Sequence, residues 1–81
     1  MWLVYLVRCA DGTLYCGVTN DLARRMKEHN AGRGAVYTRG RLPVRIEAQS
    51  VPMTRSEALR LEMKIKKTQR RKKTALIRRP H

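Results

Sequence analysis

The sequence has no phenylalanine, two cysteines and only six acidic residues, and each scarcity narrows what the chain can be. Cys9 and Cys16 are too few for a disulfide framework, and neither stands in a CxxC pair, so the common zinc and dithiol motifs are excluded. Both read as reduced, buried small side chains. No apolar run approaches the roughly 20 residues needed to cross a bilayer. Residues 1–7 carry neither a basic leader nor a cleavage signal, so a soluble, cytoplasmic protein is expected. A chain of 81 residues has room for one hydrophobic core, and therefore for one domain over residues 1–81. Its apolar residues fall in periodic segments, which predicts a folded chain and not a disordered one.

The shortage of acid leaves 19 Lys and Arg against 6 Asp and Glu, a formal charge of +13. Such an excess calls for a polyanionic partner. Between Lys64 and Arg79 there are nine basic residues and no acidic ones, and like charges so close repel unless a polyanion neutralises them. DNA, RNA and an anionic membrane all fit such a charge, and for the basic run nonspecific binding of nucleic acid is expected. The expected contacts are Arg33, Arg39 and Arg41 in a glycine-rich loop, with Lys66, Lys67, Arg70 and Arg71 in the basic run. From about residue 69 the chain reads as a loose basic tail.

Local signals give the order of elements. Residues 2–7 and 14–18 are β-prone and flank Ala10-Asp11-Gly12, a turn signal. A two-residue turn would put Tyr5 and Tyr15 on opposite faces of this hairpin. A three-residue loop closed by Gly12 in a left-handed conformation pairs Val7 with Tyr15 and Tyr5 with Gly17, and both tyrosines then share a face. The bulged form is predicted, with Cys9 and Cys16 on opposite faces. Asp21 and its neighbours offer helix caps, and Leu22, Met26 and His29 recur at helical spacing, so a helix runs over about residues 22–30. Residues 31–43 read as a basic loop. Val44, Ile46 and Ala48 alternate with polar residues, as in a strand with one buried face. Thr54 and Glu57 match a capping box that opens a second helix, running to about residue 68. On that helix Ala58, Leu61 and Ile65 form an apolar stripe with Glu62 at its edge. Residues 74–77 add a short terminal helix.

Taken together, Leu3-Val4-Tyr5, Tyr15-Cys16-Gly17, Leu22 with Arg25 and His29, and Glu62 with Ile65-Lys66 resemble the GIY-YIG nuclease pattern in order and spacing. The segment from His29 to Pro43, with Tyr37, Thr38 and Arg41, is similar to the small stand-alone bacterial branch of that superfamily. LVY stands where the family has GIY, and YCG where it has YIG, but both tyrosines and Gly17 are kept. The resemblance implies an α+β fold, a small three-stranded antiparallel sheet flanked by helices.

The resemblance also implies a metal-dependent endonuclease or nickase acting on DNA, of the kind that serves repair or recombination. On this reading Tyr5 is a general base or water positioner, Tyr15 orients water or phosphate, and Arg25 clamps the phosphate. His29 protonates or hydrogen-bonds a phosphate oxygen, and Tyr37 takes a lesser part. Glu62 holds one Mg²⁺ or Mn²⁺, with Glu57 as the rival ligand already explained by its cap. Taken singly each residue has an ordinary explanation: cross-strand packing for the tyrosines, a solvated helix face for Arg25, an ion pair with Lys66 for Glu62. His81, at the end of the basic run, has no expected role. Two other functions fit the charge: a non-catalytic nucleic-acid-binding module on the same fold, and an RNA-chaperone or ribosome-associated protein.

Overall fold

The computed structural model describes residues 1–78; Arg79, the last cation of the basic run, and His81 lie outside them. Three strands, β1 (Leu3–Arg8), β2 (Leu14–Thr19) and β3 (Arg45–Gln49), form an antiparallel sheet in the order β2-β1-β3. Four helices accompany it: α1 (Leu22–Asn30), α2 (Val36–Arg39), α3 (Arg55–Lys66) and α4 (Arg70–Arg78).

The hairpin adopts the bulged form. Gly12 donates to the Cys9 carbonyl at 2.9 Å with φ +84°, and Cys9 donates to the Thr13 carbonyl at 2.8 Å. A left-handed φ suits glycine, which has no Cβ to clash. The register follows: Val7 pairs with Tyr15 and Tyr5 with Gly17. Side chains alternate across a strand, so β1 divides its residues between two apolar clusters. Val4 and Leu6 join Cys16, Ala48, Ala58, Leu61, Ile65, Leu76 and Ile77 on one face. Tyr5 and Val7 join Cys9 and Val44 on the other, beneath Leu22 and Met26 of α1. The two cysteines are buried, unbridged and on opposite faces.

Strand β3 departs from simple alternation. Its pairing with β1 shifts between Leu6 and Val7, where Leu6 faces Ala48 but Val7 faces Ile46. The extra residue, Glu47, rotates one half of the strand against the other. Val44 and Ala48 consequently enter different clusters, and Ile46 is 44% exposed instead of sharing their buried face.

The helix starts have local causes. Asp21 accepts from the Arg24 amide at 3.1 Å and caps α1. Thr54 and Glu57 form the reciprocal capping box of α3, and its buried residues are the expected Ala58, Leu61 and Ile65. Beyond Thr68 the chain does not loosen as its charge suggests. It turns and forms α4, whose Leu76 and Ile77 are buried in the α3-side cluster. Lysine, arginine, alanine and leucine are all strong helix formers, and two well-placed apolar side chains suffice to dock the basic helix. Residues 31–43 are likewise more ordered than a loop. They include the single turn α2, and Asn30 clasps Val44 from both sides, Nδ2 donating to its carbonyl at 3.1 Å and Oδ1 accepting from its amide at 2.8 Å.

Candidate active site

The tyrosine-bearing face of the hairpin is covered by α1 and by the segment that carries α2. Tyr5, Tyr15, Arg25, His29 and Tyr37 meet there. The Tyr5 hydroxyl lies 2.9 Å from His29 Nε2 and accepts from Arg25 Nε at 3.3 Å. The His29 ring packs edge-on against both tyrosines, with centroids 5.8 Å from Tyr5 and 5.7 Å from Tyr15. Tyr37 stacks on Tyr15 at 5.9 Å, and the Arg41 guanidinium lies over the Tyr37 ring, 4.0 Å from its centroid. Arg25 and His29 share this site because they stand four residues apart on α1, about one helical turn.

Two glycines make the arrangement possible. A Cβ at position 17 would lie 2.5 Å from the Tyr5 hydroxyl oxygen, and one at position 34 would lie 2.9 Å from the His29 Cα and closer still to its ring. The glycine that closes the second motif therefore leaves space for the phenol of the first.

Burial separates the roles that these residues can take. Tyr5 is 1% exposed and His29 is wholly buried. Both ring nitrogens of His29 are engaged, Nε2 by Tyr5 and Nδ1 by the Thr38 hydroxyl at 2.9 Å. Direct contact between His29 and a phosphate oxygen, the expectation from spacing, is thus replaced by contact with Tyr5. Arg25 is part-exposed and bonds Tyr5 through Nε and Glu28 through Nη1 at 3.3 Å, which leaves Nη2 for an anion. Among the described residues the Tyr15 hydroxyl has no hydrogen-bond partner, so it too is available.

Burial pushes the Tyr5 hydroxyl above the usual tyrosine range, although the Arg25 hydrogen bond and charge pull the other way. Desolvation outweighs the neighbouring cation, and Tyr5 rests as a neutral phenol. Burial, helped by the Arg25 charge, holds His29 below the usual imidazole range. His29 is therefore neutral near pH 7. On the other side of the sheet, burial and then the Glu62 charge push the Cys16 thiol up to about 12, so it is an inert core residue.

The six acids can be accounted for one by one. Asp11 pairs with Arg41 at 3.0 Å, Asp21 caps α1, Glu28 pairs with Arg25, Glu47 pairs with Arg8 at 2.9 Å, and Glu57 is held in its capping box. Glu62 remains, 17% exposed, with only the more exposed Lys66 beside it at 3.5 Å. It lies near Cys16, on the α3 side of edge strand β2, and among the described residues makes no hydrogen bond or ion pair with the tyrosines or with Arg25. The described residues contain no group of three or more His, Cys, Asp or Glu able to hold a metal ion. One accessible hard oxygen does suit a cation that takes its other ligands from water and from a substrate phosphate, as Mg²⁺ commonly does.

The expected nucleic-acid contacts divide between the two faces. Arg39 and Arg41 are tied to the segment that covers the tyrosine site, Arg39 Nε donating to the Gly34 carbonyl at 3.3 Å and Arg41 fixed by Asp11 and by the Tyr37 carbonyl, while Arg33 follows α1 with its amide donating to the Glu28 carbonyl at 2.9 Å. Lys66, Lys67, Arg70 and Arg71 gather where α3 meets α4. There Arg70 donates to the Gly12 carbonyl, and Arg70 and Arg71 line a cavity of about 740 Å³ with Arg8 and Thr74. Sequence reasoning gave no role to Arg8, Asn30, Gly34 or Thr38. Arg8 and Asn30 act on partners far along the chain, Gly34 and Thr38 on His29 a few residues before them, and only the place of Asn30, Gly34 and Thr38 within the resembling segment hinted at a role.

The sequence model of the GIY-YIG catalytic domain matches residues 1–75. Among proteins of similar sequence, a UPF0213 protein of Nitratidesulfovibrio vulgaris is 51% identical over 95% of this chain and 70% of its own. A UPF0213 protein of the archaeon Halobacterium salinarum is also 51% identical, over 91% of this chain and 96% of its own. The solution NMR structure of a UPF0213 protein from Bacillus halodurans shares 45% identity, covering 95% of this chain and 83% of that one, with a TM-score of 0.57.

Proposed function

The chain belongs to the GIY-YIG family, a nuclease family, and from that premise we propose that it is a metal-dependent endonuclease that nicks DNA. The observation that carries this reading is the convergence of Tyr5, Tyr15, Arg25 and His29 on one face of the bulged hairpin. Hydrolysis of a phosphodiester needs an activated water, a counter-charge for the five-coordinate phosphorus and help for the departing oxygen. Arg25 supplies the counter-charge through its free Nη2. Tyr5 takes the proton of the attacking water, and Tyr15, whose hydroxyl is unengaged, orients that water or a phosphate oxygen. Tyr37 and Arg41 brace Tyr15 from outside.

GIY-YIG nucleases generally use a divalent metal, and Glu62 is the residue that would hold Mg²⁺ or Mn²⁺ here. When bound, such a cation neutralises phosphate charge and eases departure of the leaving oxygen. One site cuts one strand, so the product is a nick, the kind of cut that repair or recombination uses. The cations at the α3–α4 junction hold the backbone away from the reacting phosphate and carry no sequence information. No helix among the described residues is long and apolar enough to cross a membrane. One domain over residues 1–81 suffices for this activity.

Supercoiled plasmid and branched DNA incubated with Mg²⁺ or Mn²⁺ test the proposal, with Tyr5→Phe, Arg25→Ala and Glu62→Ala alongside. Nicking by the parent chain that each substitution abolishes is the expected result. Nicking that survives all three comes from a contaminant, and salt-sensitive binding without nicking favours the non-catalytic module.

A further inference from the structure

A neutral, buried Tyr5 can take a proton from water only if it gives up its own, and the hydrogen bonds behind it fix where that proton goes. Thr38 is the key. Its Oγ1 lies 2.9 Å from the Ala35 carbonyl oxygen and 2.9 Å from His29 Nδ1, and its residue is fully buried. Two oxygens at that separation repel unless a hydrogen lies between them, and a carbonyl has none to give. The Thr38 hydroxyl hydrogen is therefore committed to Ala35. Facing His29 the hydroxyl presents only lone pairs, so Nδ1 must carry the ring proton. In a neutral ring Nε2 is then bare, and its only partner among the described residues is the Tyr5 hydroxyl at 2.9 Å. Tyr5 donates to His29 and accepts from Arg25, whose guanidinium has no other way to bond it.

We infer that Thr38 is a positioning residue: it locks His29 as the Nδ1–H tautomer, so that Nε2 receives the Tyr5 proton as Tyr5 receives one from the attacking water. This rests on the nuclease reading of the same site. The protons balance. As the water oxygen bonds to phosphorus, one water proton moves to Tyr5 Oη and the Tyr5 proton moves to His29 Nε2. The bond from phosphorus to the leaving oxygen breaks, and that oxygen takes a proton from solvent. The extra proton on His29 then returns through Tyr5 to solvent, which restores the resting chain. With the opposite tautomer, Nε2–H and Arg25 would both donate to Tyr5, and its own proton could no longer pass to His29. The logic is that of a histidine whose far nitrogen is held by a fixed hydrogen-bond partner so that the near one can act as a base.

Long-range ¹H–¹⁵N correlation spectra of the ¹⁵N-labelled chain read the His29 tautomer without reference to activity. His29→Gln assigns the signals, since the chain has two histidines. At pH 7.5 the expected His29 pattern is protonated Nδ1 and bare Nε2. Thr38→Ser should keep it, and Thr38→Val, which preserves shape but removes the hydroxyl, should shift the ring toward Nε2–H. In the cleavage assay Thr38→Val should lose roughly 10²-fold in kcat or more with KM little changed, and Thr38→Ser should restore most of the rate. A parent spectrum with the proton on Nε2 overturns the inference, whether or not Thr38→Val folds. So does a Thr38→Val spectrum identical to the parent's. If the tautomers behave as expected but no DNA is cut, the nuclease reading fails and the lock stands as geometry alone.

Discussion

A methyl group at position 17 would lie 2.5 Å from the Tyr5 hydroxyl oxygen, well inside van der Waals contact. Gly17→Ala should therefore leave the hairpin formed but push the phenol away from His29 and Arg25. A displacement of this size at a reacting group costs about 10²-fold in rate, to be measured as cleavage by a variant whose circular dichroism matches the parent's. His29 gives a second prediction. Burial and the Arg25 charge lower its pKa in the folded chain, with Glu28 opposing, so it binds a proton more readily once unfolded. Its contribution to stability is complete above its unfolded pKa of about 6.5 and is lost as pH falls through the lower folded value. Urea midpoints taken from pH 7.5 down to 5 should decline, and the decline should be much weaker in His29→Gln. The lowered pKa values of Asp11, Glu47 and Glu57 act in a more acidic range and do not confuse this window. Tyr5, Tyr15 and Arg25 were visible in the sequence because their spacing repeats a family pattern. Thr38, Gly34 and Asn30 were legible only as part of the resembling segment and not in their roles, since each acts through a neighbour that folding brings to it.

At the scale of elements, the local signals proved the strongest. Thr54 and Glu57 announced the start of α3, and the structure holds both arms of that box, at 3.0 and 3.2 Å. Thr54→Ala should lower stability by about 1 kcal/mol, a fall of about 4–8 °C in Tm for a chain of this size. Scanning calorimetry checks the shift, and cleavage at room temperature should be unchanged, because α3 packs into the cluster on the face of the sheet opposite Tyr5 and Tyr15. The turn Ala10-Asp11-Gly12 was equally legible, for a single left-handed glycine decides the register of the whole hairpin. Strand β3 was not. Its alternation promised one buried face, but the bulge at Glu47 belongs to the pairing with β1, and Arg8 draws that carboxylate into an ion pair 39 residues away in sequence. Charge obscured the extent of α4 and not its existence: a terminal helix was legible at residues 74–77, but the basic residues from 70 onward suggested a loose tail, whereas Leu76 and Ile77 anchor a helix over Arg70–Arg78.

For the whole molecule, a formal charge of +13 on 81 residues makes association with nucleic acid steeply dependent on salt. If the cations near the site and at the α3–α4 junction neutralise about five phosphates, log K should fall with log salt at a slope of about −4 to −5. Fluorescence anisotropy with labelled DNA measures it, and Arg70→Ala with Arg71→Ala should flatten the slope by about 2. Binding of this kind belongs to the basic surface, while cleavage belongs to the tyrosine site, so the two separate experimentally. The most direct test is the single-turnover cleavage rate of a labelled DNA at saturating protein and Mg²⁺ or Mn²⁺, for the parent chain and for Tyr5→Phe. Loss of one hydroxyl should slow cleavage by roughly 10²- to 10⁴-fold, the usual contribution of a general base, with binding unchanged. Equal rates for the two proteins would contradict the account.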